Sequence, residues 1–280
     1  MPSFSRNTAG GKSVAIMTAP RSRRGNTGQV ASYWAGGGAN NPTALEYLVV
    51  AGGGGGGGNG NSGPGGGGAG GARTNSAVTL AVDAGTSYTV TIGAGGAPFV
   101  SGSGSQFGSI LASGGGLGGS GNSAGTAGGN GGGGSNATGA GTAPGGAGNT
   151  GGYTPPEGYN GGSGSSDNNT YRAGGYGGST NLYTSITGVG VNYSNGGTPG
   201  GNGLNSNAGN RPANTGHGGH AASPIYNNWD PDAGGSGIVV ISYPDSFDNL
   251  TSVTGLGYTL TLSGGRKIYK FTSGTGTVVV

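Results

Sequence analysis

Long glycine runs are the feature that most constrains what this chain can fold into. Glycine occupies 77 of the 280 positions, and residues 52–58 are seven consecutive glycines. Residues 113–184 and 194–236 consist mainly of Gly, Asn, Ser and Thr. These segments offer little apolar surface to bury, and glycine loses the most conformational entropy on ordering. Backbone hydrogen bonds, not a hydrophobic core, must therefore order them if they are ordered.

One backbone geometry suits this composition. The polyproline-II helix has three residues per turn and no internal hydrogen bonds, so side-chain-poor copies can approach closely and bond N–H to C=O between neighbours. At about 3.1 Å per residue, residues 52–58 would span roughly 22 Å. We therefore expect a bundle of glycine-rich polyproline-II-type (polyglycine II) helices. The alternative is that these stretches are flexible linkers.

Short apolar segments between the glycine runs predict strands, and no helical periodicity is present. The segments 77–82 and 87–92 flank a turn and predict a hairpin, as do 258–262 and 267–271. The other predicted strands are 45–51, 107–112, 185–193, 237–243 and 277–280. The expected fold is all-β, with short antiparallel strands framing the glycine helices.

The charge and cysteine counts exclude several classes of protein. Only 7% of residues are charged and the net charge is +3, which argues against simple disorder. The absence of cysteine excludes disulfides and thiolate chemistry. Two histidines and eight acids leave little material for acid–base catalysis, and no apolar stretch is long enough to span a membrane. We expect a structural or adhesive protein with no enzymatic activity, no cofactor, no membrane insertion and no secretory signal.

The first 40 residues carry five basic residues and no acid, whereas the remainder has six bases against eight acids. The basic residues are Arg6, Lys12, Arg21, Arg23 and Arg24. The cluster is short and lacks aromatic neighbours, so a nucleic-acid module is disfavoured. We interpret residues 1–44 as an arm that docks on other proteins, the alternative being a solvated tail.

Four segments, in this order, carry a resemblance. They are Glu-Tyr-Leu-Val-Val-Ala at 46–51 running into poly-glycine, residues 85–96, residues 107–116, and residues 234–244. Over about 45–244 the chain resembles the glycine-rich domain of bacteriophage tail-fibre and adhesin proteins. The resemblance implies a virion surface protein, usually homotrimeric, whose loops at the end of the bundle bind a host-surface glycan or outer-membrane protein. In a virion protein, the basic arm at residues 1–44 would dock on other virion proteins.

The C-terminal segment departs from the family pattern. Residues 267–280 resemble the hairpin that in the family precedes the strand at 46–51, yet here they follow the domain. We therefore divide the chain into 1–44, 45–244 and a hairpin at 245–280. The hairpin either folds back onto 45–51 of its own subunit or adds to the sheet of the next subunit.

His217 and His220 are the one plausible metal pair in the sequence. Two imidazoles leave a site short of ligands unless symmetry supplies more. We interpret them as a histidine pair in a surface loop, and we predict no metal site. A Ser-His-Asp triad is disfavoured because both histidines lie in glycine-rich sequence that would hold them poorly.

Aromatic residues concentrate in the segment 150–230, which contains seven of the 13 tyrosines. Tyrosine and tryptophan offer rigid contact area with a polar tip, which suits stacking on sugars. The alternative is that these rings cap glycine helices or pack between subunits. The predicted receptor-binding residues are Tyr153, Tyr159, Tyr171, Tyr226, Trp229 and Asp230.

Two functions fit these observations. The first is a non-enzymatic tail-fibre or adhesin subunit that binds a host-surface receptor. The second is a structural component, such as a capsid decoration protein or a filament subunit, attached through the N-terminal arm and the C-terminal strand.

Overall fold

Strands and glycine-rich segments make up the computed structural model of this chain. It describes residues 6–9, 12–15, 40–58, 63–75, 80–137, 140–167, 171–173, 175–200, 211–222 and 230–280. The chain divides into two compact units, residues 1–40 and residues 41–280.

The first unit contains one antiparallel hairpin. Strand β1 (Arg6–Ala9) pairs with β2 (Lys12–Ala15), with Arg6 opposite Ala15 and Lys12 opposite Ala9. Two of the predicted docking residues, Arg6 and Lys12, therefore lie on paired strands. The other three, Arg21, Arg23 and Arg24, lie outside the described residues.

The second unit confirms the all-β expectation, because the described residues contain no helix. Its strands are β3 (Ala44–Val50), β4 (Ala72–Thr74), β5 (Leu80–Ala81), β6 (Ser87–Thr91), β7 (Ser105–Phe107), β8 (Ile110–Ala112), β9 (Asn136–Ala137), β10 (Ala140–Thr142), β11 (Ser165–Asp167), β12 (Tyr171–Ala173), β13 (Leu182–Thr184), β14 (Val191–Tyr193), β15 (Ile238–Pro244), β16 (Ser252–Ser263) and β17 (Arg266–Val279). Three pairs form separate two-stranded hairpins: β9 with β10, β11 with β12, and β13 with β14.

The remaining strands form one antiparallel sheet in the order β4-β3-β15-β17-β6-β7-β8, with β16 added to β17 and β5 added to β3. The two ends of this order approach each other, since Arg73 of β4 donates from Nη1 to the carbonyl of Leu111 in β8 at 3.3 Å. The sheet is consequently almost closed on itself.

Both faces of the central strands are buried, which explains their near-continuous apolar sequences. In β3, Leu45 and Val49 pack into one cluster with Phe271 and Val278. Leu48 and Val50, which point to the opposite face, pack into a second cluster beneath the β13–β14 hairpin.

The C-terminal hairpin, β16–β17, belongs to this sheet. Strand β17 pairs with β15 and β6 of the same chain, and β15 lies between β17 and β3. The hairpin therefore shares its core with the glycine-rich region and does not pair directly with 45–51. Its pairing with a second subunit stays a prediction.

Some of the predicted strands pair differently from the expectation. Strand β6 does not pair with β5, because it lies between β17 and β7, whereas β5 pairs with β3. The predicted strand 107–112 is split between β7 and β8 by a turn at Gly108, whose φ is +56°. The predicted strand 185–193 is instead a hairpin, and its first strand is Leu182–Thr184.

The glycine run that follows β3 is held by backbone hydrogen bonds with a period of three. Every N–H and every carbonyl of residues 52–57 has a partner in another segment. The donor pairs are Gly52 to Ser103, Gly53 to Gly235, Gly54 to Gly68, Gly55 to Val100, Gly56 to Asp232 and Gly57 to Gly65. The carbonyls of 52–57 accept in the same rotation from the segments 115–118, 96–99 and 219–222.

The next glycine-rich segment, 65–71, repeats this pattern. Its donors rotate among the segments 113–119, 175–178 and 216–219, and its acceptors rotate among three others. We call segments that are hydrogen-bonded in this way glycine rods. For the described residues, the prediction that backbone hydrogen bonds order the side-chain-poor segments is confirmed.

This packing leaves no room for side chains. A Cβ built on any of residues 52–57 would come within 1.9–2.2 Å of a backbone carbonyl oxygen of a neighbouring segment. Glycine is required here because the neighbouring backbones approach so closely, and the repeated runs in the sequence meet that requirement.

The bundle has two different ends. At the sheet end, Ala51 follows β3 and donates to Gly71, which precedes β4. At the opposite end, which we call the distal end, the N–H of Gly58 donates to Ser120 Oγ at 2.9 Å and the ring of Phe99 lies against Gly58.

Candidate receptor-binding surface

The predicted receptor-binding residues do not form one site. Tyr159 donates its backbone N–H to Asn130 Oδ1 at 2.8 Å, and Asn130 in turn bonds to Ala69, near the sheet end. Asp230 precedes Pro231, which lies next to Gly58 at the distal end, and Asp230 is exposed.

Tyr171 is also placed towards the distal end by its backbone. It lies in β12 opposite Asp167 of β11, and Asn136 Nδ2 bonds to the carbonyl of Ser165 in β11. Asn136 pairs with Gly63, just before the glycine-rich segment 65–71. Tyr226 and Trp229 lie outside the described residues.

Tyr153 is held against the sheet end. The Arg73 guanidinium carbon lies 3.9 Å from the centre of the Tyr153 ring, and the ring is half-buried. This cation–π contact packs the loop at 149–157 onto β4. The geometry matches the alternative interpretation of these aromatics, in which a ring caps the bundle, and a receptor contact by Tyr153 stays a prediction.

Two polar side chains organise that loop. Asn149 Oδ1 accepts the N–H groups of Tyr153 at 3.1 Å and Glu157 at 3.2 Å. Glu157 is fully buried, and its carboxylate accepts the N–H groups of Ser113 at 2.8 Å and Gly151 at 3.1 Å. The buried carboxylate therefore fastens the loop to Ser113, at the start of the glycine-rich segment 113–119.

The distal end presents an apolar pair that sequence reasoning missed. Phe99 and Val100 are each 52% exposed and occupy a tight turn in which Val100 donates to the carbonyl of Ala97 at 2.9 Å. Phe99 has a φ of +66°, a strained conformation for a bulky residue. Strain of this kind persists only where the surroundings impose it, here through the bond from Phe99 N–H to the carbonyl of Gly56 at 3.3 Å.

A bulky apolar pair directly after Pro98, in a segment with no strand alternation, was the available signal for this turn. Asn122, exposed in the neighbouring turn, and Asp230 complete what we call the distal surface: Phe99, Val100, Asn122 and Asp230. An aromatic ring, an amide and a carboxylate exposed at the same end of the bundle are groups that can stack on sugars and bond to hydroxyls.

A polar cavity of about 420 Å³ lies at the sheet end, beside the β13–β14 hairpin. Across it, Arg266 Nη2 lies 3.3 Å from Glu46 Oε2, and Arg266 Nε donates to Ser242 Oγ at 2.7 Å. Glu46 and Arg266 are far apart in sequence, so no local pattern could have predicted the cavity. The Arg266 guanidinium and the Glu46 carboxylate already pair with each other. The cavity therefore offers a ligand fewer available polar groups than the distal surface does.

The histidine pair is not the surface-loop pair expected from the sequence. His217 is 8% exposed and accepts the backbone N–H of Asn195 at Nδ1, at 3.1 Å. His220 accepts the N–H of Thr198 in the same way, also at 3.1 Å. The two imidazoles lie three residues apart, as do Asn195 and Thr198, whose N–H groups they accept. They thus serve as acceptors where a backbone carbonyl would otherwise be needed.

Burial, with the nearby Arg211 guanidinium as a second cause, lowers the pKa of both histidines to about 4. Both are therefore neutral at physiological pH, as acceptors must be. Arg211 Nη2 lies 3.0 Å from His220 Nδ1, and burial lowers the pKa of Arg211 itself while Asp232 opposes that shift.

The described residues contain no group of three or more His, Cys, Asp or Glu side chains arranged to hold a metal ion. Within the same residues, no helix has the length and apolar character that crossing a membrane requires.

Comparisons with known proteins agree with the glycine-rich architecture. No curated protein and no solved structure is significantly similar to the chain. The family model described as glycine-rich domain matches residues 39–244, from just before β3 to the end of β15. The chain therefore belongs to the glycine-rich domain family.

Proposed function

We propose that this chain is a non-enzymatic subunit of a bacteriophage tail fibre or adhesin on the virion surface. In this proposal the distal surface binds a receptor on the host, either a glycan or an outer-membrane protein. The observation that carries it is the hydrogen-bonded bundle of glycine rods, with the sheet at one end and the exposed Phe99 turn at the other.

The rods themselves are polyglycine II helices in this proposal. Their donors rotate among three neighbouring segments and their acceptors among three others, and this period of three supports the three-residue turn of a polyproline-II-type helix. Because the donors and acceptors of 52–57 reach six segments, that rod sits in a lattice of close neighbours.

Such a bundle suits receptor binding because it is rigid without a hydrophobic core. Binding residues on loops work best when a rigid scaffold positions them. The distal turns at Phe99 and Asn122 join rods that are bonded along their length, so few degrees of freedom are left at the binding surface.

The basic N-terminal unit supports attachment to other virion proteins. Residues 1–40 form a compact unit of their own, and Arg6 and Lys12 lie on its hairpin. The same observation favours the alternative of a capsid decoration protein or filament subunit, which needs docking and no receptor. The resemblance to tail-fibre proteins favours a homo-oligomer, with no nucleic acid bound.

Binding of the purified, fluorescently labelled full chain to bacterial cells tests the proposal. The probes are a panel of Gram-negative strains and their purified lipopolysaccharides. Phe99→Gly removes the ring and relieves the positive φ, so it should fold and yet weaken binding at least about 10-fold.

Val189→Ser is the matched control, because Val189 is 66% exposed but lies in the β13–β14 turn, outside the distal surface. Equal loss with both variants would show that the distal surface is not the binding site. Binding to virus particles through residues 1–40, with no binding to any strain, would establish the decoration protein instead.

A further inference from the structure

Strand β16 has one unpaired edge. It runs for 12 residues along β17, and no backbone hydrogen bond in the described part of the chain reaches its other side. An edge of this kind presents a row of free N–H and C=O groups to which another strand can pair.

Two irregularities confine the regular part of this edge to its second half. The register shifts between Thr254 and Leu256 and again between Gly257 and Tyr258. From there to Ser263 the pairing with β17 is unbroken, so residues 258–263 form a regular six-residue edge. We call this segment the free edge.

The free edge lacks the features that normally prevent strands from associating. Its sequence, Tyr-Thr-Leu-Thr-Leu-Ser, has no charged residue and no proline, which are the usual protections of an exposed edge. Its apolar side chains stand at every second position, so they share one face of the strand, and all are exposed: Tyr258 at 46%, Leu260 at 39% and Leu262 at 65%. Short, uncharged segments of high β-propensity are those that pair with copies of themselves.

The exposed face continues the interior of the sheet. The Tyr258 ring centre lies 5.9 Å from that of Tyr269 and 6.0 Å from that of Phe271. Both partners are buried in the main core cluster, whereas Tyr258 and Leu260 stand at its open margin.

We propose that the free edge pairs antiparallel with the free edge of a second copy of this chain, which continues the sheet across a two-fold axis at Leu260. This register sets Leu260 opposite its own copy and Tyr258 opposite Leu262, so the apolar face runs unbroken through the interface. A second copy of the chain suits this edge, because two uncharged edges do not repel each other when they pair. The edge also carries no charge that would attract a different, charged partner.

This arrangement leaves the C-terminal hairpin in its own chain and does not depend on receptor binding. In this register five residues of each free edge, 258–262, face their copies. This ladder is smaller than a standard protein interface, so we expect association in the micromolar range. Sedimentation equilibrium of the full chain should show a monomer at low concentration and twice that mass at high concentration.

Leu260→Lys should abolish the dimer, because it sets two ammonium groups directly opposite each other. Val100→Lys is the control, since it adds the same charge at a residue that is 52% exposed in the turn at the distal end, and it should leave the dimer intact. A wild-type chain that stays monomeric, a wild-type trimer, or a Leu260→Lys dimer of unchanged strength would each overturn the proposal.

A cross-link tests the register independently of stability. The chain contains no cysteine, so Leu260→Cys introduces a single thiol. Facing residues of antiparallel strands have Cα atoms about 4.5–5.5 Å apart, within the range that a disulfide spans. Mild oxidation should give a covalent dimer with Leu260→Cys and none with Val189→Cys, and failure of Leu260→Cys to cross-link would refute the two-fold axis at this residue.

Discussion

The backbone N–H of Gly54 donates to the carbonyl of Gly68 at 2.8 Å, and the carbonyl of Gly54 accepts from Gly219 at 2.8 Å. Both partners lie in other segments of the chain, so Gly54 belongs to no hairpin or helix of its own. A Cβ at this position would lie 2.2 Å from the carbonyl oxygen of Gly116. Three separate backbone segments therefore converge on a residue that contributes no side chain.

Replacement of Gly54 by alanine should destabilise the protein by about 3 kcal/mol, because backbone atoms must move to admit the methyl group. Gly162→Ala is the matched control: this residue also donates to a neighbouring segment, at Tyr176, but its Cβ would find the nearest atom 3.3 Å away. Its cost should stay within about 1 kcal/mol. Urea denaturation of the two variants measures the difference, and equal costs would contradict the close packing of the rods.

The same hydrogen bonds predict slow amide exchange. We expect the amides of residues 52–57 to exchange as slowly as those of β15, although the glycine run has no side chains to shield it. Hydrogen–deuterium exchange followed by mass spectrometry measures both in one experiment. Exchange of 52–57 at the rate of a free peptide, with β15 protected, would mean that the rods are not ordered in solution.

Glu157 offers a test of how the loop at the sheet end is held. In Glu157→Gln an amide group replaces one of the carboxylate oxygens that accept from Ser113 and Gly151, and leaves one of these two N–H groups without its acceptor. The expected cost is about 1–3 kcal/mol. Glu46→Gln, at a partly exposed ion pair, should cost no more than about 1 kcal/mol in the same thermal or urea measurement. The opposite ranking would show that Glu157 does not fasten the loop.

Sequence patterns predicted the parts of the fold that local composition controls. The apolar segments of β3 and β15 indicate strands, and the glycine runs indicate that any order must come through the backbone. Partners were harder to predict, because β6 pairs with β17, which lies almost 200 residues further along the chain. The pairing of strands so far apart is decided by the whole sheet and not by the turn at 83–86.

The candidate sites were less predictable for a physical reason. Phe99 is exposed because its turn lies at the end of the bundle. Glu46 and Arg266 form an ion pair because their strands, β3 and β17, both pair with β15, one on each side. The imidazoles of His217 and His220 accept backbone N–H groups three residues apart, those of Asn195 and Thr198, a role that no hydrophobic pattern reveals. Tyrosine enrichment pointed to a real concentration of exposed rings, such as Tyr159 at 56% and Tyr183 at 68%, but not to one surface.

The histidine pair predicts that stability falls in acid. Each imidazole has a pKa of about 4 in the folded protein and 6.5 as its ordinary value, so the unfolded chain binds protons first as the pH drops. Stability from this source is complete above pH 6.5 and is lost between pH 6.5 and about 4, by up to about 3 kcal/mol for each histidine. Protonation occupies the Nδ1 lone pair and deprives Asn195 or Thr198 of its acceptor, while the Arg211 guanidinium repels the added charge.

Urea denaturation from pH 7.5 to pH 4 should show this loss, and His217→Asn should reduce it. Asparagine keeps an acceptor oxygen close to the position of Nδ1 but does not titrate, so the variant should lose less stability than the wild type over that range. Val189→Asn, an exposed change outside the pair, should keep the wild-type slope. Identical pH profiles for His217→Asn and the wild type would mean that the acid sensitivity has another origin, because removal of the titrating group must flatten the curve if the imidazole serves as an acceptor.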